Sequence, residues 1–350
     1  MLLGEYAVLA GKPAIVCAID KFIQVTLQPR QDQQIHIQSA LGTLTTPLAS
    51  IVMQSPFEYV LTALTLKRQL PSGCDILITG DCESGIGLGS SAAVTVATLA
   101  AVHAWLEKTV INAENLWHQA MAVIQHIQGK GSGADLAASI YGGVIAFQNN
   151  PLQVERIAST LPICAIYSGK KLITAHAIDQ MNQKRQQQPA FFAALDEAIA
   201  QLSLSAIPAI KNQDWQTLGA LFNEAQKIMV KMGVSNELLN ALIDTLRNYD
   251  ARSLTVALHL PHSATIEHET HLPMHAPHFQ AQHNAASEAR PLGSASSFIF
   301  GAKISGSGLG DCVIGLGNLP QNIFPLDAAQ QTIGVRQIPL TITASGVGIG

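Results

Sequence analysis

Apolar and polar residues alternate, or run apolar, through 14–28 and 33–38 in the manner of strands. The pattern lengthens to a helical period over 53–68. It breaks for a short apolar strand, Ile76-Leu77-Ile78-Thr79, and returns to helix over 92–105 and 112–128. Gly142-Gly143-Val144-Ile145-Ala146-Phe147 and Ile163-Cys164-Ala165-Ile166-Tyr167 read as further strands. Three amphipathic helices are expected over 188–203, 213–231 and 234–248. In the last, Leu238, Leu239, Leu242, Ile243 and Leu246 recur at helical spacing. A closing α/β part opens at Lys303. The pattern resets near 150–160, around Pro151 in a polar turn, which predicts domains at 1–155 and 156–350.

One stretch has no sustained period. Residues 251–300 hold seven of the twelve histidines and several prolines. The spacings His268-x2-His271 and His275-x2-His278 are compatible with a metal site, but no cysteine and few acids accompany them. A surface insertion is the expected reading, and its deletion is expected to leave the fold intact.

Composition narrows the class. The chain has 350 residues, 48% hydrophobic and 13% charged, which is the composition of a folded protein with sizeable cores. A net charge of −4 disfavours nucleic-acid and anionic-membrane partners. No run of about 18 apolar residues occurs, and the first residues lack a secretory signal. Five scattered cysteines without a CxxC pair suit reduced thiols, and a cytoplasmic location is expected.

The chemistry concentrates in glycine-rich patches. Gly85-Ile86-Gly87-Leu88-Gly89-Ser90-Ser91-Ala92-Ala93 follows a strand and opens a helix. Such a turn presents free N–H groups at the positive end of a helix, a natural cradle for phosphate. Taken alone, it reads equally as a serine-capped turn. Gly129-Lys130-Gly131-Ser132-Gly133-Ala134-Asp135 sets a lone carboxylate in a second glycine-rich turn, where Asp135 suits either a helix cap or proton chemistry. Leu2-Leu3-Gly4-Glu5-Tyr6-Ala7-Val8 and Lys303-Ile304-Ser305-Gly306-Ser307-Gly308-Leu309-Gly310-Asp311-Cys312 complete a set of four.

In order, spacing and composition the four patches resemble the GHMP kinases, and the resemblance covers most of the chain outside 251–300. It implies an α/β (α+β) fold of two domains. The N-terminal one would be a ribosomal-S5-like phosphate-binding domain and the C-terminal one a ferredoxin-like α/β domain. Gly87, Leu88, Gly89, Ser90, Ser91 and Ala92 would wrap the phosphates of ATP, with Ser91 near Mg2+. Gly306, Ser307 and Gly308 would close over them from the second domain. Asp135 would be the catalytic aspartate. Glu5, Tyr6 and Thr174 would line the acceptor pocket.

Within the family the patches favour ATP-dependent phosphorylation of mevalonate, with 5-phosphomevalonate as the alternative acceptor. A catalytically impaired binding protein of the same fold is a third reading. The implied partner is a small molecule, and a homodimer is left open. Three positions depart from the family pattern. The chain begins at Met1-Leu2-Leu3-Gly4 where relatives first run through a strand and a Pro-Gly-Lys turn, so a natural start further upstream is expected. Ile124 stands where mevalonate kinases carry a magnesium-binding glutamate. The proline usually found before the phosphate loop is absent.

Overall fold

Three β-sheets, each covered by helices, carry the chain in a computed structural model. It describes residues 1–66, 69–81, 86–170, 174–249, 298–321 and 324–348, with no side-chain description at 174–176. The first sheet joins β1 (Ala14–Cys17), β6 (Val144–Asn149) and β7 (Leu152–Ala158), all antiparallel. The second has the order β2-β5-β3-β4, formed by β2 (Ile23–Pro29), β3 (Gln34–Ser39), β4 (Gly42–Pro47) and β5 (Cys74–Gly80). Only β3 and β5 run parallel there, in the register Ile35↔Cys74 through Gln38↔Leu77. Alternation in β3 sends Ile35 and Ile37 inward against α1 (Glu58–Thr65), where Val60, Leu61 and Leu64 complete a core with Ile76.

Helix α2 (Ser90–Glu107) packs between α1, α3 (Ala113–Gln128), α4 (Ala134–Tyr141) and β2. It is apolar on most sides, as a central helix must be, and buries Ala92, Val96, Leu99, Ala100 and Val102. α3 has a clear start signal, the Asn112 side chain accepting the N–H groups of Glu114 and Asn115 at 2.9 and 3.2 Å. It ends at Gly129, whose φ of +69° is a left-handed helix stop.

The third sheet has the order β11-β8-β10-β9 and is antiparallel throughout: β8 (Ile163–Ser168), β9 (Ile299–Ser305), β10 (Cys312–Gly317) and β11 (Val335–Ile338). Helices α5 (Thr174–Gln187), α6 (Pro189–Lys211), α7 (Trp215–Lys231), α8 (Glu237–Arg247) and the short α9 (Ala328–Thr332) complete this half. α7 lies so close on β9 that a Cβ on Gly219 would fall 2.4 Å from the Phe300 carbonyl oxygen. α6 is long and apolar enough, by length and composition, to cross a membrane. Here Phe192, Leu195 and Ile199 enter the core, and its buried Asp196 accepts from Arg185 Nη2 at 2.6 Å.

The strand-and-helix pattern of the sequence is largely present, with informative differences. β4 and β7 are polar hairpin partners whose composition alone gives little strand signal, and pairing with β3 and β6 makes them strands. α5 is polar and carries only a weak helical pattern. α6 runs on through Pro208 to Lys211, well past residue 203. β7 continues through position 155 to Ala158, and β8 of the third sheet begins at Ile163. β9 already contains Ile299 and Phe300. Residues 250–297, with the His268/His271 and His275/His278 pairs, lie outside the described residues.

Beyond β11 the chain returns to the first half. Thr343 accepts from the Gly143 N–H at 2.7 Å and donates to Ala18 at 3.1 Å, while Asp20 bonds both the N–H and the hydroxyl of Thr341. The tail therefore lies across the segment just after α4.

Candidate active site

The N-terminal end of α2 forms the floor. Gly89 takes the cap position in the left-handed region (φ +84°), which a glycine adopts without strain. The first intrahelical bond runs from the Ala93 N–H to the Gly89 carbonyl at 3.0 Å. The N–H groups of Ser90, Ser91 and Ala92 are therefore free of the helix ladder and sit at its positive end. Neither serine side chain caps the helix. The capped-turn reading thus gives way to an open helix terminus, with Gly87 and Leu88 leading into it. Cys82, Glu83, Ser84 and Gly85 lie outside the described residues.

Asp135 comes up beside this terminus. A Cβ built on Gly89 would lie 3.8 Å from the Asp135 Cβ. The helix cap at α4 is Gly133 (φ +75°), not Asp135, which sits in the first turn with its Oδ1 accepting the Leu136 N–H at 3.0 Å. The preceding turn is tightly held: the Trp117 indole N–H donates to the Gly133 carbonyl at 2.9 Å. The Asp135 side chain is open to water, yet protein crowds around it, and that desolvation raises its carboxyl above the ordinary value. The shift thus reflects the mass of the surrounding walls, since solvent still reaches the group.

The second glycine loop, 305–311, meets the first from the opposite half. The Cys312 thiol donates to the Ile86 carbonyl at 3.4 Å, and a Cβ on Gly87 would fall 2.7 Å from Asp311 Cγ. Gly306 faces open space, whereas Gly308 is pressed on Val234, whose carbonyl accepts the Leu309 N–H at 2.8 Å. Asn236, the cap of α8, donates to the Leu309 carbonyl at 3.3 Å. One arm of the loop is thus anchored and the other faces the cleft.

Glu5 and Tyr6 brace that loop. Glu5 is buried and forms an ion pair with the fully buried Lys303, whose ammonium also donates to the Ile304 carbonyl. Burial lowers the Lys303 pKa, and the Glu5 carboxylate opposes that shift. Tyr6 occupies the left-handed region (φ +62°) and donates its hydroxyl to the Ser307 carbonyl at 2.5 Å. Burial, with Glu5 beside it, pushes the Tyr6 hydroxyl well above its usual range, so it remains a donor. Thr174 opens α5, but its side chain lies outside the described residues.

Ile124 is buried in the α-helical core, where it packs on the Gly131 turn. Lys12 is on the surface, paired with Glu197 at 2.7 Å. Among the described residues no group of three or more His, Cys, Asp or Glu side chains is arranged to hold a metal. The sequence reading assigned no role to Lys303 or Asp311, although both lie in the last glycine patch. An ionisable residue inside an otherwise small and apolar run was the available signal.

Comparison with known proteins agrees with this geometry. The family model described as "GHMP kinases N terminal domain" matches residues 58–143, a span running from α1 through α4 that takes in both the helix terminus and Asp135. The chain is 29% identical over 257 residues to a mevalonate kinase of Methanothermobacter thermautotrophicus, covering 72% of this chain and 81% of the relative. It is 28% identical over 275 residues to a mevalonate kinase of Thermococcus sibiricus, with 72% and 81% covered. The solved mevalonate kinase of Methanococcus jannaschii superposes with a TM-score of 0.67 at 21% identity, covering 98% of this chain and 95% of that one. The two-loop cleft is that of a small-molecule kinase, one that phosphorylates an alcohol. More narrowly, the segment 58–143 matches the GHMP kinase N-terminal domain, and the greater part of the chain is similar to mevalonate kinases.

Proposed function

We propose that this protein transfers the terminal phosphoryl group of ATP to the 5-hydroxyl of mevalonate. The observation that carries the reading is the placement of Asp135 against Gly89, which sets a carboxylate beside a phosphate-type helix terminus. The choice of acceptor rests on the mevalonate kinases to which most of the chain is similar.

The residues present fit the nucleotide. The free N–H groups of Ser90, Ser91 and Ala92 suit phosphate oxygens, and Gly89 holds the left-handed cap conformation that leads into them. The hydroxyl of Ser91 is the candidate to reach Mg2+, which keeps several waters and needs few protein ligands. When bound, ATP supplies the phosphoryl group and Mg2+ offsets the charge of its phosphates. The chain's own part is positioning and proton transfer. Asp135 orients the acceptor hydroxyl and takes its proton, and its raised carboxyl is better matched to that role than an ordinary aspartate. Gly306 and Ser307 leave one side of the second loop open to cover the phosphates, while Tyr6 and the Glu5–Lys303 pair hold that loop at the right height.

Asp135→Ala tests the assignment. Phosphoryl transfer to mevalonate should be lost while the thermal transition is retained, and undiminished turnover would refute it.

A further inference from the structure

Among the described residues β9 is the outer strand of the third sheet, and it runs straight into the second glycine loop. The N–H groups on the outer edge of such a strand have no strand to receive them, and buried ones need another acceptor. Helix α7 supplies it. Asn223 Oδ1 accepts the Ala302 N–H at 3.2 Å, and Gln226 Oε1 accepts the Ile304 N–H at 3.0 Å. From α8, Arg247 Nη2 donates to the Ala302 carbonyl at 2.9 Å. Asn223 and Gln226 are three apart on one helix face, while Ala302 and Ile304 are two apart on one strand edge. The side-chain amides therefore stand where a fifth strand would pair.

Gln226 is the amide nearer the loop, and both it and Ile304 are buried. Its two ends serve both arms of the loop. Oε1 holds Ile304, the residue before Ser305, where the chain leaves β9. Nε2 donates to the Ser235 hydroxyl at 3.4 Å, in the turn between α7 and α8. That turn holds the far arm: the Val234 carbonyl accepts the Leu309 N–H at 2.8 Å, and Asn236 donates to the Leu309 carbonyl at 3.3 Å. A glutamine can do this because its amide carries an acceptor and a donor together. We infer that Gln226 is a positioning residue for phosphoryl transfer: its amide fixes both arms of the second glycine loop to one point on α7 and so sets the height at which Gly306 and Ser307 meet the nucleotide phosphates. This inference rests on the nucleotide reading of the site.

Steady-state ADP release by the full chain tests it, well below every melting transition, with MgATP and then the acceptor varied (mevalonate, or 5-phosphomevalonate if only that supports release). Gln226→Met keeps the length of the side chain and removes both hydrogen bonds. Its KM for MgATP should rise at least about tenfold while the KM for the acceptor stays within about twofold. Gln226→Glu keeps an acceptor for the Ile304 N–H and should recover most of that rise. Ile37→Val, in the core of the second sheet, lowers stability away from the loop and should leave both KM values as in wild type. If Gln226→Met does not fold, Asn223→Ala, at a half-buried position, carries the same comparison in the same direction. Equal rises in the two KM values, or an unchanged KM for MgATP in the folded variant, overturn the inference and leave the nucleotide reading standing. A wild-type chain that releases no ADP with either acceptor overturns the nucleotide reading, and the inference with it.

Discussion

Asp135 makes opposing demands on activity and stability. Its carboxyl holds a proton more tightly in the folded chain than in the unfolded one. Its contribution to stability is therefore present below the unfolded pKa and lost as pH rises through the folded pKa. At neutral pH the ionised group burdens the fold, so Asp135→Asn should not lower the melting temperature and is expected to raise it. The same variant should reduce kcat by about 10²–10⁴-fold. The acid limb of the wild-type kcat/KM profile should lie above the ordinary aspartate value of about 4. A limb at the ordinary value would remove the shifted base from the account. Lys303 poses a different problem. Lys303→Met leaves Glu5 buried without its partner and should destabilise the protein by about 3–5 kcal/mol, whereas Glu5→Leu combined with Lys303→Met should recover most of that loss in denaturant unfolding. Asp135 was legible in the sequence because it stands alone in a glycine-rich turn. The Glu5–Lys303 pair joins residues 298 positions apart, and no local pattern announces such a contact.

At the scale of elements, the packing of α7 on β9 is set by glycine. Gly219 meets the backbone of Phe300 and Gly301, with the Gly219 oxygen only 2.2 Å from where a Cβ on Gly301 would be. Gly219→Ala improves helix propensity yet must push the two elements apart, and the second effect wins. The expected outcome is a loss of about 1–3 kcal/mol, read from chemical denaturation. The long helices α2, α3, α7 and α8 were readable because each repeats its apolar positions over several turns or, in α2, is apolar almost throughout. β4 and β7 were not, since their residues become a strand only through a neighbour supplied by the fold. The helix terminus at Gly89 was legible as glycine chemistry. That its cap would be glycine and not serine depends on the left-handed turn, which composition does not specify.

Across the whole molecule, the cleft is assembled from segments distant in sequence. The first patch reaches the last through Tyr6 and Ser307 and through Glu5 and Lys303, while the tail beyond β11 returns to Gly143 after α4. Both halves thus contribute to the site. The contacts just named join segments on either side of 251–297, a stretch that lies outside the described residues. Replacing 251–297 by a short Gly-Ser linker should therefore leave the melting temperature and phosphoryl transfer close to those of the full chain, and loss of either would assign that segment a part in the fold or the site. The central claim is that this cleft phosphorylates mevalonate. Its most direct test is ADP release by the purified full chain with MgATP, measured with mevalonate, with 5-phosphomevalonate and without acceptor. The account predicts release that requires mevalonate and disappears in Asp135→Ala. Release that requires 5-phosphomevalonate instead, or that is the same with and without acceptor, would contradict it.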